Sequence, residues 1–407
     1  MYTFAIESLD GDERFDLHFD ERACRLYDAE RRLIRPGADE NDTFVVRICL
    51  GTECQNACIY CQQGGLTKTA MVDRFDDADA DRLVEAIRAE VAARVGAART
   101  TVISFWGGEP LLYLDRIRRL VPRLRAAFDG AVYVALITNG LRLDDDAADF
   151  LLAQDIEVTV SHDGPGQKPC RGVEILDDPA IMRSVLRLAD AGRLSFSPVL
   201  TRCNPTIRGW VAYMRGRLGQ RAARIVVPEL AYVRPVSEAQ RDLVCSPVQM
   251  AQNTEDLLAC IRGEDDTARP FLAAVRNKTF RLIRMLAGQE NVRPYCLASD
   301  SRNLVVDVAG RIWTCHNFID VVGMTHCLGS VFEPTRRRVL SGLRSHKTAV
   351  CDGCVCTALC HGGCALEETE GYSCWKKYHQ LIPVFYDLVA CMTDGRYRLC
   401  RILQEDA

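Results

Sequence analysis

The chain has 407 residues, 48% of them hydrophobic, which is enough for two to three domains with a substantial core. Its 51 Lys and Arg residues are balanced by 55 Asp and Glu residues, which argues against nucleic acid as a partner. The N-terminal residues lack the basic start and apolar stretch of a secretory signal, and no apolar run approaches the length of a membrane span. We therefore expect a cytoplasmic protein without membrane contact.

Predicted strands and helices alternate through the first half of the chain. Residues 1–42 show short strands and turns and predict an N-terminal β flap. The strands predicted next are residues 44–50, 101–106, 131–138, 156–161, 194–200 and 224–232. The helices between them include one with apolar residues at every fourth position, namely Leu83, Ile87, Val91 and Val95. This alternation predicts an α/β fold with a parallel sheet, open or curled into a partial barrel, and chemistry at the C-terminal ends of the strands.

The second half of the chain has a different composition. Residues 236–291 are charged and helical and predict a connector after an α/β domain of residues 43–235. Residues 292–375 combine regularly spaced cysteines with short strands and glycine turns. Residues 376–407 predict a C-terminal helix. The chain contains 20 cysteines, and reduced cysteines in tight clusters indicate a metal site, because thiolate is a preferred ligand of zinc and of iron–sulfur centres.

Three cysteines follow the first strand of the α/β domain. They are Cys54, Cys58 and Cys61, with Tyr60 directly before the last of them. A structural zinc ion prefers four protein ligands, whereas a 4Fe–4S cluster held by three thiolates keeps one iron open. This CxxxCxxC spacing resembles the radical S-adenosylmethionine (radical SAM) superfamily, in which the open iron binds the amino and carboxylate groups of the cofactor's methionine. A zinc-binding loop is the alternative.

Polar and glycine-rich loops after the next strands match the same family in order. The resemblance assigns contacts with S-adenosylmethionine to these loops, in which Glu109 accepts a hydrogen bond from the methionine ammonium and Arg171 is a candidate for gripping the carboxylate. Leu200 can pack on the adenine, although a core position is the simpler interpretation. The residues that this assignment covers are Tyr60, Gly107, Gly108, Glu109, Thr138, Asn139, Ser161, Asp163, Arg171 and Leu200.

A second set of cysteines in the C-terminal region resembles the SPASM extension of radical SAM enzymes. The resemblance implies two auxiliary iron–sulfur clusters, so the fold expected is a partial (β/α)6 barrel of the TIM type with a C-terminal cysteine-rich SPASM domain. The first auxiliary cluster would be held by Cys296, Cys315 and Cys364, and the second by Cys351, Cys354, Cys360 and Cys374. The fourth position of the first cluster is open to substrate or to Cys245, Cys327, Cys356 or His316. A pair of zinc ribbons is the alternative.

The other cysteines are more simply interpreted as small buried hydrophobic residues. They are Cys24, Cys49, Cys170, Cys203, Cys260, Cys391 and Cys400.

The family resemblance implies a mechanism and a substrate class. The reduced cluster at Cys54, Cys58 and Cys61 would cleave S-adenosylmethionine to a 5′-deoxyadenosyl radical that abstracts hydrogen from a substrate. Most relatives with the SPASM extension modify peptides or proteins, which predicts a peptide side chain as the substrate and, as the product, a thioether or carbon–carbon crosslink in a ribosomally made peptide. The sulfatase-maturing branch carries Asp where this chain has His316, which weakens a formylglycine-forming role. His316 is a candidate base, although a structural histidine is an equal alternative.

Partners and competing classes follow from the same resemblance. We expect a reducing partner such as flavodoxin or ferredoxin, and the residues before the first barrel strand are too few for a leader-binding domain, so a leader-recognition protein would be a separate chain or absent. A small-molecule radical oxidoreductase and a non-catalytic iron–sulfur electron carrier are the other classes. The loop at Glu109 argues against the electron carrier, which has no need of a cofactor-binding loop beside an open cluster.

Overall fold

The structure, a computed structural model, describes the chain with several gaps. The described residues are 1–38, 43–65, 68–95, 100–128, 131–235, 237–289, 302–317, 319–333, 351–363 and 372–405. Two of the predicted cluster ligands, Cys296 and Cys364, lie outside these ranges. Among the described residues, no helix combines the length and the apolar character needed to cross a bilayer.

The N-terminal residues form an antiparallel sheet. Its strands follow one another along the chain as β1 (Tyr2–Ser8), β2 (Arg14–Asp20), β3 (Arg25–Tyr27) and β4 (Leu33–Ile34). Alternate residues of β1 are buried, with Phe4 and Ile6 at 0% and 2% exposure, so one face of this sheet packs on the protein core.

Strands and helices alternate from Thr43 to Tyr232, as the sequence predicts. In chain order these elements are β5 (Thr43–Cys49), α1 (Asp77–Val95), β6 (Thr100–Trp106), α2 (Leu114–Ala127), β7 (Ala131–Thr138), α3 (Asp145–Ala153), β8 (Glu157–Val160), α4 (Gln167–Arg171), α5 (Pro179–Asp190), β9 (Leu194–Phe196), β10 (Val199–Leu200), α6 (Ile207–Leu218) and β11 (Ala231–Tyr232). Strands β5 to β9 pair in parallel in sequence order, so their C-terminal ends meet at one edge of the sheet. Short 3-10 turns cover Pro110–Tyr113, Gly164–Gly166, Ile175–Asp177 and Gly219–Arg224.

The two faces of this parallel sheet have different environments. On β5, Phe44, Val46 and Ile48 are fully buried and belong to the core that also contains apolar residues of α1 and α2. The intervening side chains of β5 and β6 are for the most part only partly buried. We call this second side the open face and define it by Val45, Arg47, Ser104 and Trp106.

The fifth and sixth predicted strands differ from the prediction. The segment predicted as one strand, residues 194–200, is divided into β9 and β10 by Ser197 and Pro198. Proline has no N–H group to donate to a neighbouring strand, which interrupts the ladder at this point. Strand β10 pairs with β11 in a separate two-stranded parallel ladder, and β11 covers only Ala231–Tyr232 of the predicted 224–232.

The C-terminal half contributes helices and further strands. In chain order these are α7 (Glu238–Arg241), α8 (Pro247–Ile261), a 3-10 turn (Arg269–Phe271), α9 (Leu272–Leu286), β12 (Asn303–Asp307), β13 (Arg311–Trp313), β14 (Cys327–Ser330), α10 (Thr357–Cys360), α11 (Tyr372–Met392) and β15 (Tyr397–Gln404). Strand β12 pairs in parallel with β5, from Asn303 opposite Val45 to Asp307 opposite Cys49. The first described strand of the cysteine-rich region therefore continues the α/β sheet, which the sequence did not predict.

The prediction of a single helix over residues 376–407 is wrong in its second half. Helix α11 ends at Met392, and a turn with Asp394 and Gly395 at positive φ leads into β15. Strand β15 pairs antiparallel with β1, so the two ends of the described chain lie in one sheet. The aromatic ring of Phe385 on α11 packs against Phe4 and Phe19, with ring centroids 5.7 and 5.4 Å apart, which fixes this sheet on the helix.

Candidate active site

The loop with the first three cysteines is held at both ends. Thr52 and Thr69 exchange hydrogen bonds, with the Thr52 N–H 2.8 Å from the Thr69 carbonyl and the Thr69 N–H 3.0 Å from the Thr52 hydroxyl. The Arg116 guanidinium on α2 donates to the carbonyls of Leu50 and Ala70 at 2.5 and 2.7 Å. One side chain therefore contacts the segments before and after the cysteines. Nothing in the sequence distinguishes Arg116, because an arginine on a helix usually faces solvent.

The three thiols of this loop lie close enough to influence one another. Burial raises the pKa of Cys58 to about 11, with smaller contributions of the same sign from Cys61 and Cys54. Burial also raises the pKa of Cys54, and Cys61 adds to this shift. Thiols with raised pKa values lose their protons when a metal binds, because the thiolate is the ligand. In the described part of the chain, no three His, Cys, Asp or Glu side chains converge at the spacing of a single-ion site.

The loop after β6 can approach the cysteine loop because it contains two glycines. Gly107 has φ of +151°, and a Cβ atom there would lie 2.2 Å from the Gly51 carbonyl oxygen. A Cβ atom on Gly108 would lie 2.2 Å from the Glu53 carbonyl oxygen. The Gly108 N–H instead donates to the Gly51 carbonyl at 2.9 Å, and the two backbones pair directly.

Glu109 joins the second and third loops. Its side chain is 1% exposed and accepts hydrogen bonds from the Thr138 hydroxyl at 2.6 Å and the Asn139 N–H at 2.7 Å. The Leu111 N–H donates to the same carboxylate at 3.0 Å. Burial raises the pKa of Glu109 despite these three donors. A carboxylate accepts about four hydrogen bonds, so the protein donors leave room for one more, such as an ammonium group.

Asn139 connects the loop after β7 to the cysteines. Its amide nitrogen donates to the Cys54 sulfur at 3.6 Å, and its amide oxygen accepts from the Leu141 N–H at 2.9 Å. The Thr138 hydroxyl accepts from the Gly140 N–H at 3.0 Å, and Gly140 has φ of +82°. The loop thus presents an N–H donor to a thiol sulfur.

Tyr60, Asp163 and Arg171 form a buried network beside the cysteine loop. The Asp163 carboxylate is fully buried and accepts from Arg171 Nε at 2.9 Å, from the Val199 N–H at 2.9 Å and from the Tyr60 hydroxyl. Arg171 Nη1 lies 3.9 Å from the Cys58 sulfur. Burial opposes the charge on Arg171, but Asp163 keeps its pKa above the usual value. The structure therefore brings Arg171 to the cysteine cluster, with Asp163 as the residue that orients it.

Two further residues predicted to contact the cofactor, Ser161 and Leu200, make no hydrogen bond to the cysteine loop among the described residues. Ser161 follows β8, and its N–H donates to the Thr138 carbonyl at 2.8 Å, which aligns the loops after β7 and β8. Leu200 on β10 is fully buried in the core, so its side chain presents no surface to an adenine ring. This burial supports the simpler interpretation of Leu200 as a core residue.

His162 is a structural residue to which the sequence assigned no role. Its Nδ1 accepts from the Gly164 N–H at 3.0 Å, so Nε2 carries the proton and donates to Glu174 at 2.8 Å. Burial raises the pKa of Glu174, but the hydrogen bond from His162 and a further one from Tyr213 bring it down to about 2. Trp210 Nε1 donates to the His162 carbonyl at 2.8 Å. These contacts hold the loop that carries Asp163.

His316 lies at the edge of the open face. Its ring meets Trp106 edge-to-face with centroids 4.5 Å apart, and its carbonyl accepts from Gln63 Nε2 at 3.2 Å. Burial lowers the pKa of His316 to about 3, with further lowering by Arg47 and Arg234. The predicted base therefore lies between the first cysteine loop and the end of β6, beside two arginines.

Four cysteines of the second set, in the C-terminal region, lie together around α10 and the start of α11. Burial raises the pKa of Cys360 to about 12, and Cys354, Cys351 and Cys374 contribute in the same direction. Burial also raises the pKa of Cys374, and Cys351 and Cys354 add to this shift. These are the four residues predicted for the second auxiliary cluster. The buried Cys356, outside the family pattern, hydrogen-bonds Cys354 and lowers the pKa of that thiol to about 6.

The first auxiliary set is only partly described. Cys315 follows β13 and is partly buried, whereas Cys296 and Cys364 lie outside the described residues. Of the proposed fourth ligands, Cys327 lies on β14 opposite Trp313, and its thiol donates to the Gly329 carbonyl at 3.5 Å. Cys245 is 1% exposed in the core.

Comparison with known proteins agrees with this architecture. Residues 48–194 match the model of the Radical SAM superfamily. A segment of 167 residues is 30% identical to GTP 3′,8-cyclase from Haemophilus influenzae (strain 86-028NP), and the match spans 40% of this chain and 45% of that relative's length.

Solved structures are similar over most of the chain. The structure of native anSMEcpe with bound AdoMet has a TM-score of 0.61 at 18% identity, and the likeness covers 86% of this chain and 99% of the other. The structure of anSMEcpe with bound AdoMet and the Kp18Cys peptide gives a TM-score of 0.63 at 17% identity, with the same coverage. At this level of identity the likeness shows a shared fold.

Proposed function

We propose that the chain cleaves S-adenosylmethionine reductively and abstracts hydrogen from a peptide side chain, because residues 48–194 match the Radical SAM superfamily. The domain implies S-adenosylmethionine and a 4Fe–4S cluster as cofactors. The observation that carries the proposal is the convergence of three elements: the Cys54, Cys58 and Cys61 loop, the Glu109 loop and the buried Arg171.

The donors around the three thiols fit these cofactors. Cys54, Cys58 and Cys61 would hold the cluster, and the amide of Asn139 and the guanidinium of Arg171 lie next to two of the sulfurs, where they stabilise negative charge. Glu109 would accept from the methionine ammonium, and Tyr60 and Asp163 keep Arg171 in place. When bound, the cluster and S-adenosylmethionine supply a 5′-deoxyadenosyl radical. The glycines at 107 and 108 let the backbone approach the cysteine loop closely.

The second constellation supports auxiliary iron–sulfur clusters. Cys351, Cys354, Cys360 and Cys374 would hold one cluster, since their thiols influence one another. Cys296, Cys315 and Cys364 would hold the other. Such clusters would carry an electron to or from the substrate after hydrogen abstraction, in a SPASM-type arrangement. A flavodoxin or ferredoxin would reduce the enzyme.

A peptide substrate is supported by the fold. Two of the similar solved structures are anSMEcpe with the Kp18Cys peptide and with the Cp18Cys peptide bound. The structural likeness covers 99% of that protein's chain. The expected product is an oxidative modification such as a thioether or carbon–carbon crosslink in a ribosomally made peptide.

Formylglycine formation is the second candidate. The likeness to anSME, a sulfatase maturase, favours it. Against it, the residue that follows Cys315 is His316, whereas the sulfatase-maturing branch has Asp at this position. A small-molecule substrate is the other outcome of the test, because part of the chain matches GTP 3′,8-cyclase. That match spans less than half of the length of the relative.

The test compares the reconstituted enzyme with a variant in which Cys54, Cys58 and Cys61 are replaced by Ala. We expect about twelve irons per chain to fall to about eight, and 5′-deoxyadenosine formation from S-adenosylmethionine under dithionite to be lost. The matched control is Cys24→Ala, at a cysteine outside both constellations. Zinc in place of iron, or a variant that still cleaves S-adenosylmethionine, contradicts the proposal. Mass analysis of sulfatase-type peptides and of crosslinkable peptides after turnover separates the two candidates.

A further inference from the structure

Two cysteines that belong to none of the predicted cluster sites lie side by side next to the cysteine loop. Cys170 is on α4 and is fully buried, and Cys203 follows β10. Both were expected to be small buried hydrophobic residues, and Cys203 is instead partly exposed. We call these two residues the cysteine pair.

Thr201 brings the cysteine pair together. Its hydroxyl oxygen lies 3.5 Å from the Cys170 sulfur and accepts from the Cys203 N–H at 3.1 Å. A turn from Thr201 to Asn204 fixes the backbone of Cys203, because the Asn204 N–H donates to the Thr201 carbonyl at 3.1 Å. Both cysteine side chains pack in one small apolar cluster, which also contains Tyr60. A hydrogen bond joins the two thiols, so they are in direct contact.

The two members of the cysteine pair differ in their access to solvent. Cys203 presents part of its surface, whereas Cys170 presents none. Redox-sensing sites combine an accessible cysteine, which reacts first with an oxidant, and a second cysteine beside it, which resolves the product to a disulfide. Cys203 has the position of the first of these, and Cys170 has that of the second.

Cys170 and the residue after it contact the cysteine loop at two points. The Cys170 carbonyl accepts from the Ile59 N–H at 3.0 Å. Arg171 Nη1 lies 3.9 Å from the Cys58 sulfur. A displacement of α4 is therefore transmitted to the loop through a backbone hydrogen bond and through the guanidinium that is a candidate for gripping the carboxylate of S-adenosylmethionine.

We propose that Cys170 and Cys203 form a reversible disulfide that weakens the binding of S-adenosylmethionine under oxidising conditions. The Cys203 thiol attacks a small-molecule disulfide, such as glutathione disulfide, and one thiol of that molecule leaves with the proton. The Cys170 thiol then displaces the second small-molecule thiol from Cys203, and the bond between the two cysteines forms. The cysteine pair loses two protons and two electrons, and the small-molecule disulfide gains them as two thiols.

The effect on S-adenosylmethionine follows from the geometry of a disulfide. Its two sulfur atoms are about 2.05 Å apart, well below the separation of two hydrogen-bonded thiols. Closure therefore draws Cys170 towards the loop after β10 and moves Arg171 with it. This consequence rests on the proposed function, because it takes Arg171 to hold the cofactor, whereas formation of the bond does not.

The first test maps disulfides in the reconstituted enzyme. The protein is incubated anaerobically with an excess of glutathione disulfide and quenched with acid, its remaining thiols are alkylated, and its proteolytic peptides are analysed by mass. We expect two peptides joined through Cys170 and Cys203, and their separation after treatment with dithiothreitol. Iron is measured in the same samples, so that cysteines released from a lost cluster are recognised.

Two variants test the order of the steps. Cys170→Ser should retain a mixed disulfide with glutathione at Cys203, because the resolving thiol is absent. Cys203→Ser should leave Cys170 unmodified, because Cys170 is fully buried. The matched control is Cys260→Ser, at a buried cysteine outside the cysteine pair and outside the predicted cluster sites, and it should form the same disulfide as the wild type.

The second test measures binding of S-adenosylmethionine by anaerobic calorimetry, without a reductant. We expect the dissociation constant of the wild type to rise by about tenfold or more after oxidation, because a charge-assisted hydrogen bond is lost, and to return after reduction. Treatment of Cys203→Ser with glutathione disulfide should leave its own dissociation constant unchanged.

Three results overturn the inference. They are free thiols at both cysteines in the presence of excess glutathione disulfide, a mixed disulfide at Cys203 that Cys170 does not resolve, and equal binding of S-adenosylmethionine by the oxidised and reduced wild type. The wild-type map alone decides the pairing if a Ser variant fails to fold. A reduced enzyme that binds no S-adenosylmethionine contradicts the proposed function, and the map still tests the disulfide, so the two failures are distinguishable.

Discussion

At the scale of single residues, Asp163 orients Arg171 beside the cysteine loop from a fully buried position. It is fully buried, it orients Arg171 through Nε at 2.9 Å, and it accepts from Tyr60. The sequence predicted Asp163 as a cofactor contact, because its loop matches a family motif. A motif indicates which residues are present, whereas the direction of a carboxylate depends on residues distant in sequence, here Tyr60, Arg171 and Val199.

Asp163→Asn should lower the free energy of unfolding by about 3–5 kcal/mol, because it leaves the buried Arg171 charge without its partner. Urea unfolding monitored by circular dichroism measures this change. The matched control is Asp155→Asn, at an exposed ion pair with Arg193 at 2.6 Å, where we expect about 0–1 kcal/mol. Equal effects in the two variants would show that Asp163 does not hold a buried charge.

The depressed pKa of Glu174 makes the stability of the folded protein depend on pH in the acidic range. Its pKa is about 2 in the folded protein, since the His162 and Tyr213 hydrogen bonds outweigh the effect of burial, against about 4.3 in an unfolded chain. The folded pKa is depressed, so the stabilisation is present above about pH 4.3 and is lost as the pH falls from about 4.3 towards 2. Glu174→Gln should remove this part of the acid dependence, as measured by urea unfolding between pH 3 and 7. A pH profile of Glu174→Gln parallel to that of the wild type would contradict the assignment.

At the scale of elements, the site depends on loops that fit together backbone to backbone. Gly108→Ala would place a Cβ atom 2.2 Å from the Glu53 carbonyl oxygen. We expect the variant to fold with a loss of about 1–3 kcal/mol and to retain less iron at the first cluster, because the cysteine loop must move away. Iron analysis after reconstitution checks this.

Gly65→Ala is the control for the glycine variant, since no atom of the described residues lies within 4 Å of a Cβ atom there and the residue is in the cysteine loop that Gly108 approaches. Iron loss in Gly65→Ala as large as in Gly108→Ala would mean that the loop tolerates no change at all, and that the close approach has no special role.

Arg116 on helix α2 holds the cysteine loop through backbone carbonyls. Its guanidinium contacts the carbonyls of Leu50, Ala70 and Val72, the last at 3.1 Å, so it links the end of β5 to the segment after the cysteines. Arg116→Gln should increase amide hydrogen exchange in the described part of residues 51–72 by about tenfold, because the loop loses its attachment. Arg118→Gln, two residues away at an exposed pair with Asp146, should leave this exchange unchanged. Unchanged exchange in Arg116→Gln would contradict the role.

The elements were predictable to different degrees. Strands β5 to β8 were predicted within a few residues, and α1 was predicted from the spacing of Leu83, Ile87 and Val91, because apolar periodicity is a local property of the chain. The strand predicted over residues 194–200 is divided at Pro198, because proline has no N–H group for a sheet ladder. The pairing of β12 with β5 joins residues about 250 positions apart, and no local pattern encodes such a contact.

At the scale of the whole molecule, the chain ends support the cysteine-rich region. Strands β1 and β15 form one sheet, and the Tyr2 hydroxyl on β1 donates to the Gly353 carbonyl, between Cys351 and Cys354. The sequence predicted the cysteine ligands as a set because spacing is a property of the chain, and four of them lie together in the structure. It did not predict that a sheet of the two termini lies against them, since this requires the folded chain.

The central claim is that Cys54, Cys58 and Cys61 hold a cluster that binds S-adenosylmethionine. The most direct measurement is the electron paramagnetic resonance spectrum, with and without S-adenosylmethionine, of the dithionite-reduced protein in which the cysteines assigned to both auxiliary clusters are replaced by Ser, namely Cys296, Cys315, Cys351, Cys354, Cys360, Cys364 and Cys374. The account predicts a reduced 4Fe–4S signal from the first cluster whose g-values shift when S-adenosylmethionine is added, because the cofactor occupies the open iron. A signal that S-adenosylmethionine leaves unchanged in this variant, and that persists when Cys54, Cys58 and Cys61 are also replaced, would contradict it.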